Sequence, residues 1–222
     1  MIILSTKELS KKQIALFDAK KFALIHTSYI KVKSLKFSIE KSNDFLIFTS
    51  KNAVKSILKN KKIEDLKKKK CFCVGTKTKL FLEKNGFSVT VVSVDANALA
   101  ETIIKNYSEE SFTFFSGTIR KDILPKKLSD SSILFNEITV YETLLQPKKN
   151  VLETAAILFF SPSAVESYLQ LNKIGNQTCF CIGNTTAKAV TNSAEVPESN
   201  LIIAPQPTVE SVIEAVITHY ND

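Results

Sequence analysis

Short apolar runs alternate along the chain with longer stretches whose apolar positions recur at helical spacing. Several runs end in Ser or Thr, and a pattern with a period near 3.6 begins directly behind them. That is a strand feeding an N-capped helix. The pattern predicts strands near 2–4, 22–26, 45–49, 71–74, 88–92, 112–115, 133–142, 156–160, 178–182 and 200–203. It predicts helices notably at 7–18, 51–59, 77–85, 97–106, 162–171, 185–192 and 208–219. Strands that alternate with helices in this way belong to an α/β fold built on parallel sheets.

The pattern also repeats. F-L-I-F-T-S-K-N-A-V at 45–54 is echoed by A-I-L-F-F-S-P-S-A-V at 156–165, and C-F-C-V-G-T-K-T at 71–78 by C-F-C-I-G-N-T-T at 179–186. Two different motifs in one order at similar spacing point to a duplicated unit. The repeat assigns five strands from 45 to about 138 to one set and those near 3, 24, 158, 180 and 202 to the other. Domains of 1–30 plus 144–222 and of 36–138 follow, joined by linkers at 29–37 and 138–145 that could pair as a small ladder. Two domains in plain succession would also divide the strands evenly, and the repeats alone do not choose.

In open parallel sheets ligands bind beyond the carboxyl ends of the strands. Ser50 and Asn52 fall there, with Ser161 and Ser163 as counterparts. So do Gly75, Thr76 and Thr78, mirrored by Gly183, Thr185 and Thr186, and the run Ser116, Gly117 and Thr118. Helix starts offer N–H donors and a favourable dipole to anions, and glycine admits a ligand close to the backbone. Each Ser or Thr taken singly is accounted for as a cap. Five such ends in two domains describe a cleft suited to a ligand with many carboxylates, and an inter-domain closure on that ligand is expected.

Charge modifies this picture little. The formal net charge is +8, yet Arg120 is the only arginine, and arginine is the side chain suited to bidentate phosphate and base recognition. A nucleic-acid binder is therefore disfavoured; the 15 Phe sit mostly within strand patterns, as core residues do. Lys59, Lys61, Lys62 and Lys67 to Lys70 read as a solvated connector. Cys71, Cys73, Cys179 and Cys181 form two C-x-C pairs inside apolar strand patterns and read as core thiols, not metal ligands. His26 and His219 have no evident catalytic partners, and no nucleotide, hydrolase or zinc-protease motif occurs. Met1 to Leu4 is apolar but too short for a signal peptide, and no run approaches a membrane span, so a soluble cytoplasmic protein is expected.

The ordered set of motifs resembles the uroporphyrinogen-III synthases. It comprises F-T-S-K-N-A-V at 48–54, V-G-T-K-T at 74–78, N-G-F at 85–87, F-F-S-G-T-I-R at 114–120 and V-Y-E-T at 140–143. It continues with F-F-S-P-S-A-V at 159–165, I-G-N-T-T-A-K-A at 182–189 and A-P-Q-P-T at 204–208. The resemblance implies two flavodoxin-like parallel-sheet domains joined by a two-stranded antiparallel linker, with the middle domain inserted. It implies a hydro-lyase of tetrapyrrole and haem biosynthesis that closes hydroxymethylbilane, which carries eight carboxylates, into uroporphyrinogen III. Water is lost and ring D inverts through a spiro intermediate, without metal or organic cofactor.

By position, Tyr141 matches the family's cleft tyrosine, which could assist loss of the hydroxyl. Thr78, Ser161, Ser163 and Thr186 match positions facing the tetrapyrrole, and Ser50 and Asn52 are similar. Lys51, Lys77 and Lys79 depart from the small or neutral residues common there, and His26 stands near a site where proline is usual. A monomer is expected, with transient contact to the preceding deaminase and no nucleic-acid or membrane partner. The rival reading is a non-catalytic two-domain protein that binds an anionic small molecule.

Overall fold

The computed structural model describes residues 1–18 and 21–221. Along the chain the strands are β1 (Ile2–Ser5), β2 (Ala23–His26), β3 (Ile30–Ser34), β4 (Phe45–Phe48), β5 (Lys70–Val74) and β6 (Ser88–Ser93). They continue with β7 (Ser111–Gly117), β8 (Leu134–Leu145), β9 (Ala156–Phe159), β10 (Thr178–Cys181) and β11 (Leu201–Ile203). The helices are α1 (Lys11–Ile14), α2 (Lys51–Ile57), α3 (Ile63–Lys67), α4 (Thr76–Lys84) and α5 (Ala96–Asn106), then α6 (Ile123–Asp130), α7 (Pro162–Leu169), α8 (Asn184–Ser193) and α9 (Val209–Asn221). The chain divides into two compact units, Met1–Lys31 with Leu144–Asp222, and Val32–Thr143.

The first unit holds a parallel sheet in the order β11-β10-β9-β1-β2. Helices cover both faces, so successive strand residues are buried on opposite sides. Ile3, Leu158 and Phe180 pack with Val212, Ile213 and Val216 of α9, while Leu4, Ile157 and Phe159 pack with Val165 and Tyr168 of α7 and Val190 of α8. Burial on both faces is why these strands read as unbroken apolar runs.

The second unit follows the order β3-β8-β7-β4-β5-β6, and the β4 to β8 strands are parallel. Ile47, Phe72 and Phe114 meet Leu99 and Ile103 of α5 and Leu124 of α6 on one face. Leu46, Phe48 and Phe115 meet Val54 and Ile57 of α2 and Leu82 of α4 on the other. Because β4 and β5 repeat in sequence as β9 and β10, the spatial orders can be aligned strand for strand. β6 then matches β11, β7 matches β1 and β8 matches β2. The first unit is thus the second one's arrangement entered at a different strand, a circular permutation.

The predicted helix at 7–18 shrinks to the single turn α1. Ser10 starts it with a capping box to Gln13, and the residues before it are tied elsewhere: the Leu9 N–H donates to His26 Nδ1 (3.4 Å). The lysine-rich stretch leads into β5 with most of its lysines exposed, as a solvated connector does. It contains α3, whose Leu66 is in the core, and Lys67 and Lys68 pair with Glu64 and Asp65. Lys69 Nζ donates to the carbonyls of Ser42 (3.1 Å) and Asn43 (2.6 Å). Helix α6, absent from the predicted helices, carries Pro125 in its first turn, where the missing N–H costs nothing, and buries Leu124 and Leu128.

The linker ladder is the edge of the second unit's sheet, because β3 pairs with the long strand β8. The Leu35 N–H donates to the Val140 carbonyl (3.0 Å), and the Gln146 N–H to the Tyr29 carbonyl (2.8 Å). One strand's partners fall as the other's rise, so the pairing is antiparallel and in one register between those bonds. Lys33 and Glu142 stand opposite each other in that register and form an ion pair at 3.2 Å.

Candidate active site

Strand order collects the second unit's candidate residues into a row. The carboxyl ends of β5, β4 and β7 carry Gly75, Ser50, and Ser116 with Gly117, and Tyr141 stands level with them inside β8, opposite Gly117. Asn52 and Thr78 lie in the first turns of α2 and α4 behind it. Ser161, Ser163, Gly183, Thr185 and Thr186 occupy the corresponding ends of β9 and β10 in the first unit.

The four repeated helix starts are of two kinds. At the serine starts the hydroxyl is already engaged: Ser50 Oγ accepts from the Asn52 N–H (3.1 Å), and Ser161 Oγ from the Ala164 N–H (3.2 Å). Ser163 is buried, its Oγ 3.1 Å from Ser161 Oγ. At the glycine starts no side chain caps the helix, and a Cβ added to Gly75 or Gly183 would meet no atom within 4 Å. Gly75 also has φ +81°, which disfavours other residues, whereas Gly183 is extended. Thr78 and Thr186 are buried three residues on, and Thr185 is exposed. The glycine starts thus leave open space before the backbone, whereas the serine starts spend their hydroxyls on capping.

Tyr141 is placed by three local features. The register between β7 and β8 slips after Ser116, so that Thr139 faces Ser116 but Tyr141 faces Gly117. Such a bulge re-aims a side chain, and here both Val140 and Tyr141 turn into buried positions. The absent side chain of Gly117 makes room for the ring: a Cβ there would lie 2.3 Å from Tyr141 Cζ and 2.7 Å from its Oη. Finally, the Thr118 N–H donates to the Tyr141 carbonyl (3.1 Å).

On the opposite face of β7 from Gly117, Ser116 Oγ is buried without a hydrogen-bond partner, which is rare for a hydroxyl. Its counterparts at the end of β1 are consumed: Ser5 Oγ donates to the Lys7 carbonyl (2.6 Å) and Thr6 Oγ1 to the Leu158 carbonyl (2.7 Å). Arg120 closes the loop after β7 with a two-pronged pair to Glu137 of β8, its Nη2 2.8 Å from Oε2, and a third bond to Asp122. The Glu137 carboxylate, helped by Asp122, holds the guanidinium pKa above its usual value. This clamp needs arginine's planar fork. Sequence reading singled out Arg120 only as the lone arginine.

The cysteines are buried thiols on the strands, Cys71 and Cys73 in one cluster and Cys179 and Cys181 in another. Burial pushes their pKa values up to about 12, 11, 12 and 12 in that order. Among the described residues no group of three or more His, Cys, Asp or Glu side chains is placed to hold a metal, and no helix is long and apolar enough to cross a membrane.

Proteins similar to this chain in sequence or fold include uroporphyrinogen-III synthases. A uroporphyrinogen-III synthase from Saccharomyces cerevisiae is 24% identical over 209 residues, covering 78% of this chain and 75% of its own. The crystal structure of uroporphyrinogen-III synthetase from Helicobacter pylori superposes with a TM-score of 0.73 at 22% identity, covering 98% of each chain. A mutant uroporphyrinogen III synthase from Thermus thermophilus gives 0.69 at 14% identity over 100% of this chain and 99% of its own. At such identities the structures establish the shared α/β fold with parallel sheets. The model of the family described as uroporphyrinogen-III synthase HemD matches residues 13–214. The chain belongs to the uroporphyrinogen-III synthase family.

Proposed function

We propose that this protein closes hydroxymethylbilane into uroporphyrinogen III as a hydro-lyase, with Tyr141 at the reacting centre. The observation that carries this reading is the seat of Tyr141 on Gly117, at the end of a row of strand ends that presents Ser50, Gly75 and Ser116. The phenol assists departure of the terminal hydroxyl as water. Carbon–carbon closure at ring D and its inversion follow. Atoms balance as one bilane giving one cyclic product and one water, with no net redox change.

The remaining residues act by holding the substrate, which is how a site without a nucleophile and base pair accelerates a reaction. The glycine starts at Gly75 and Gly183 take carboxylates through backbone N–H groups. Thr78, Thr185, Thr186 and Ser116 supply hydroxyls, and Ser50, Asn52, Ser161 and Ser163 shape the neighbouring helix starts. Four free, buried thiols suit a reducing cytoplasm, and the protein acts there as a monomer with transient access to the deaminase's product.

The test is a coupled reaction: porphobilinogen and a deaminase, with and without this protein, and the uroporphyrin isomers resolved after oxidation. Added protein is expected to turn the product from isomer I to isomer III. An unchanged ratio with folded protein would contradict the proposal.

A further inference from the structure

A groove runs beside α2 within the second unit, from the start of that helix toward its end. Its narrow part, about 170 Å³, is lined by Val32 and Ser34 of β3 and by Asn52, Lys55, Ser56 and Lys59. The last four recur at helical spacing and share one face of α2 and the turn that follows it. Ser34 and Ser56 form the floor, their hydroxyls 3.1 Å apart, and Lys59 Nζ donates to Ser34 Oγ at 3.3 Å. The ladder register set by the Leu35–Val140 and Tyr29–Gln146 bonds places Ser34 directly opposite Tyr141. Ser34 thereby joins the groove to β8 at Tyr141, which does not itself line the groove and whose ring lies over Gly117 on the other side.

The groove's charge is unbalanced. Lys55 and Lys59, both exposed, lie one turn apart, and no carboxylate lines the narrow part. Neither forms a salt bridge among the described residues, whereas Lys33 on the adjacent strand is paired with Glu142, and Lys67, Lys68, Lys79 and Lys127 each have an acidic partner. Below, the groove widens into a cavity of about 740 Å³ with Lys36, Lys61, Lys62 and one carboxylate, Glu40, on its walls. Like charges one helical turn apart repel, and a bound anion relieves that repulsion. Asn52 and the Ser34 hydroxyl, which accepts from Ser56 and Lys59 and keeps its own proton, add neutral donors.

We infer that Lys55 and Lys59, with Ser34 and Asn52, form a carboxylate subsite that holds one acidic arm of the tetrapyrrole beside Tyr141. The inference rests on the proposed function and adds to Asn52 three residues that the repeated motifs do not contain, Ser34, Lys55 and Lys59. The first unit lacks the feature, since the residues after Ser161 that match Asn52, Lys55 and Lys59 are Ser163, Glu166 and Gln170. The subsite would orient the substrate by engaging one side of it.

The experiment uses the full chain with Lys55→Gln and Lys59→Gln combined, and a control with Lys105→Gln and Lys126→Gln, two exposed lysines on α5 and α6. Affinity for uroporphyrin III, a stable octacarboxylate, is read by fluorescence at several salt concentrations, independently of turnover. The inference expects about tenfold weaker binding and a shallower salt dependence in the groove variant only, equivalent to about 1.4 kcal/mol. Unchanged affinity, or equal loss in the control, overturns it. In the isomer assay the groove variant should raise KM with kcat within about twofold; a fall in kcat alone overturns it too. A wild type that binds uroporphyrin through these lysines yet forms no isomer III would refute the proposed function and leave the subsite standing.

Discussion

Gly117 and Tyr141 occupy one another's space: the ring of Tyr141 fills the volume in which any side chain at Gly117 would begin. The pair lies opposite across the β7–β8 bulge. Gly117→Ala must therefore displace the ring or the strand. We expect a loss of about 1–3 kcal/mol, typical of overpacking, together with a drop in turnover larger than the drop in affinity. Thermal denaturation and steady-state rates check this. A variant as stable and active as the wild type would show that the ring does not need its seat.

The two glycine starts should respond differently to the same change. Gly75→Ala forces alanine into a left-handed backbone and should cost about 1–2 kcal/mol. Gly183→Ala adds a methyl group to an extended residue facing open space and should leave stability within about 0.5 kcal/mol. Both should weaken uroporphyrin binding several-fold if carboxylates approach the backbone there. Chemical denaturation and fluorescence titration separate the effects. Full affinity in Gly183→Ala would remove that helix start from the site.

The thiols set an alkaline limit. Burial raises the pKa of Cys71, Cys73, Cys179 and Cys181 from 9.0 to between about 11 and 12 in the folded chain. The folded state keeps its thiol protons where the unfolded state has lost them. The associated stability is whole below about pH 9 and declines as pH rises toward 12, by up to about 1.4 kcal/mol per pH unit per thiol. Denaturation midpoints measured from pH 8 to 10.5 should fall in the upper part of that range. Native protein at pH 8 should resist iodoacetamide, and unfolded protein should not. Rapid native alkylation would place the thiols outside the core.

Much of the fold was legible because the parallel strands are buried on both faces and the helices behind the repeated strands start at a Ser or Gly that the sequence displays. What was misread depended on contacts remote in sequence. The residues ahead of helix α1 are held elsewhere, with the Leu9 N–H bonded to His26 Nδ1, a pairing between positions 17 apart that helical periodicity does not show. At the site, the repeats placed the strand ends but could not distinguish Ser50 and Ser161, whose hydroxyls cap their own helices, from Gly75 and Gly183, which leave open space. Ser34 escaped notice because it meets Tyr141 only through the ladder register. The Arg120–Glu137 clamp joins residues on different elements, and only the folded chain brings them together.

The most direct measurement is the initial rate of isomer III formation by wild type and Tyr141→Phe in the coupled reaction, with uroporphyrin affinity read on the same samples. Phenylalanine keeps the ring on Gly117 and removes only the hydroxyl. The account predicts isomer III from the wild type and about tenfold slower formation by the variant, roughly 1.4 kcal/mol of barrier, with affinity nearly unchanged. A wild type that leaves the product as isomer I, or a variant that turns over at full rate, would contradict it.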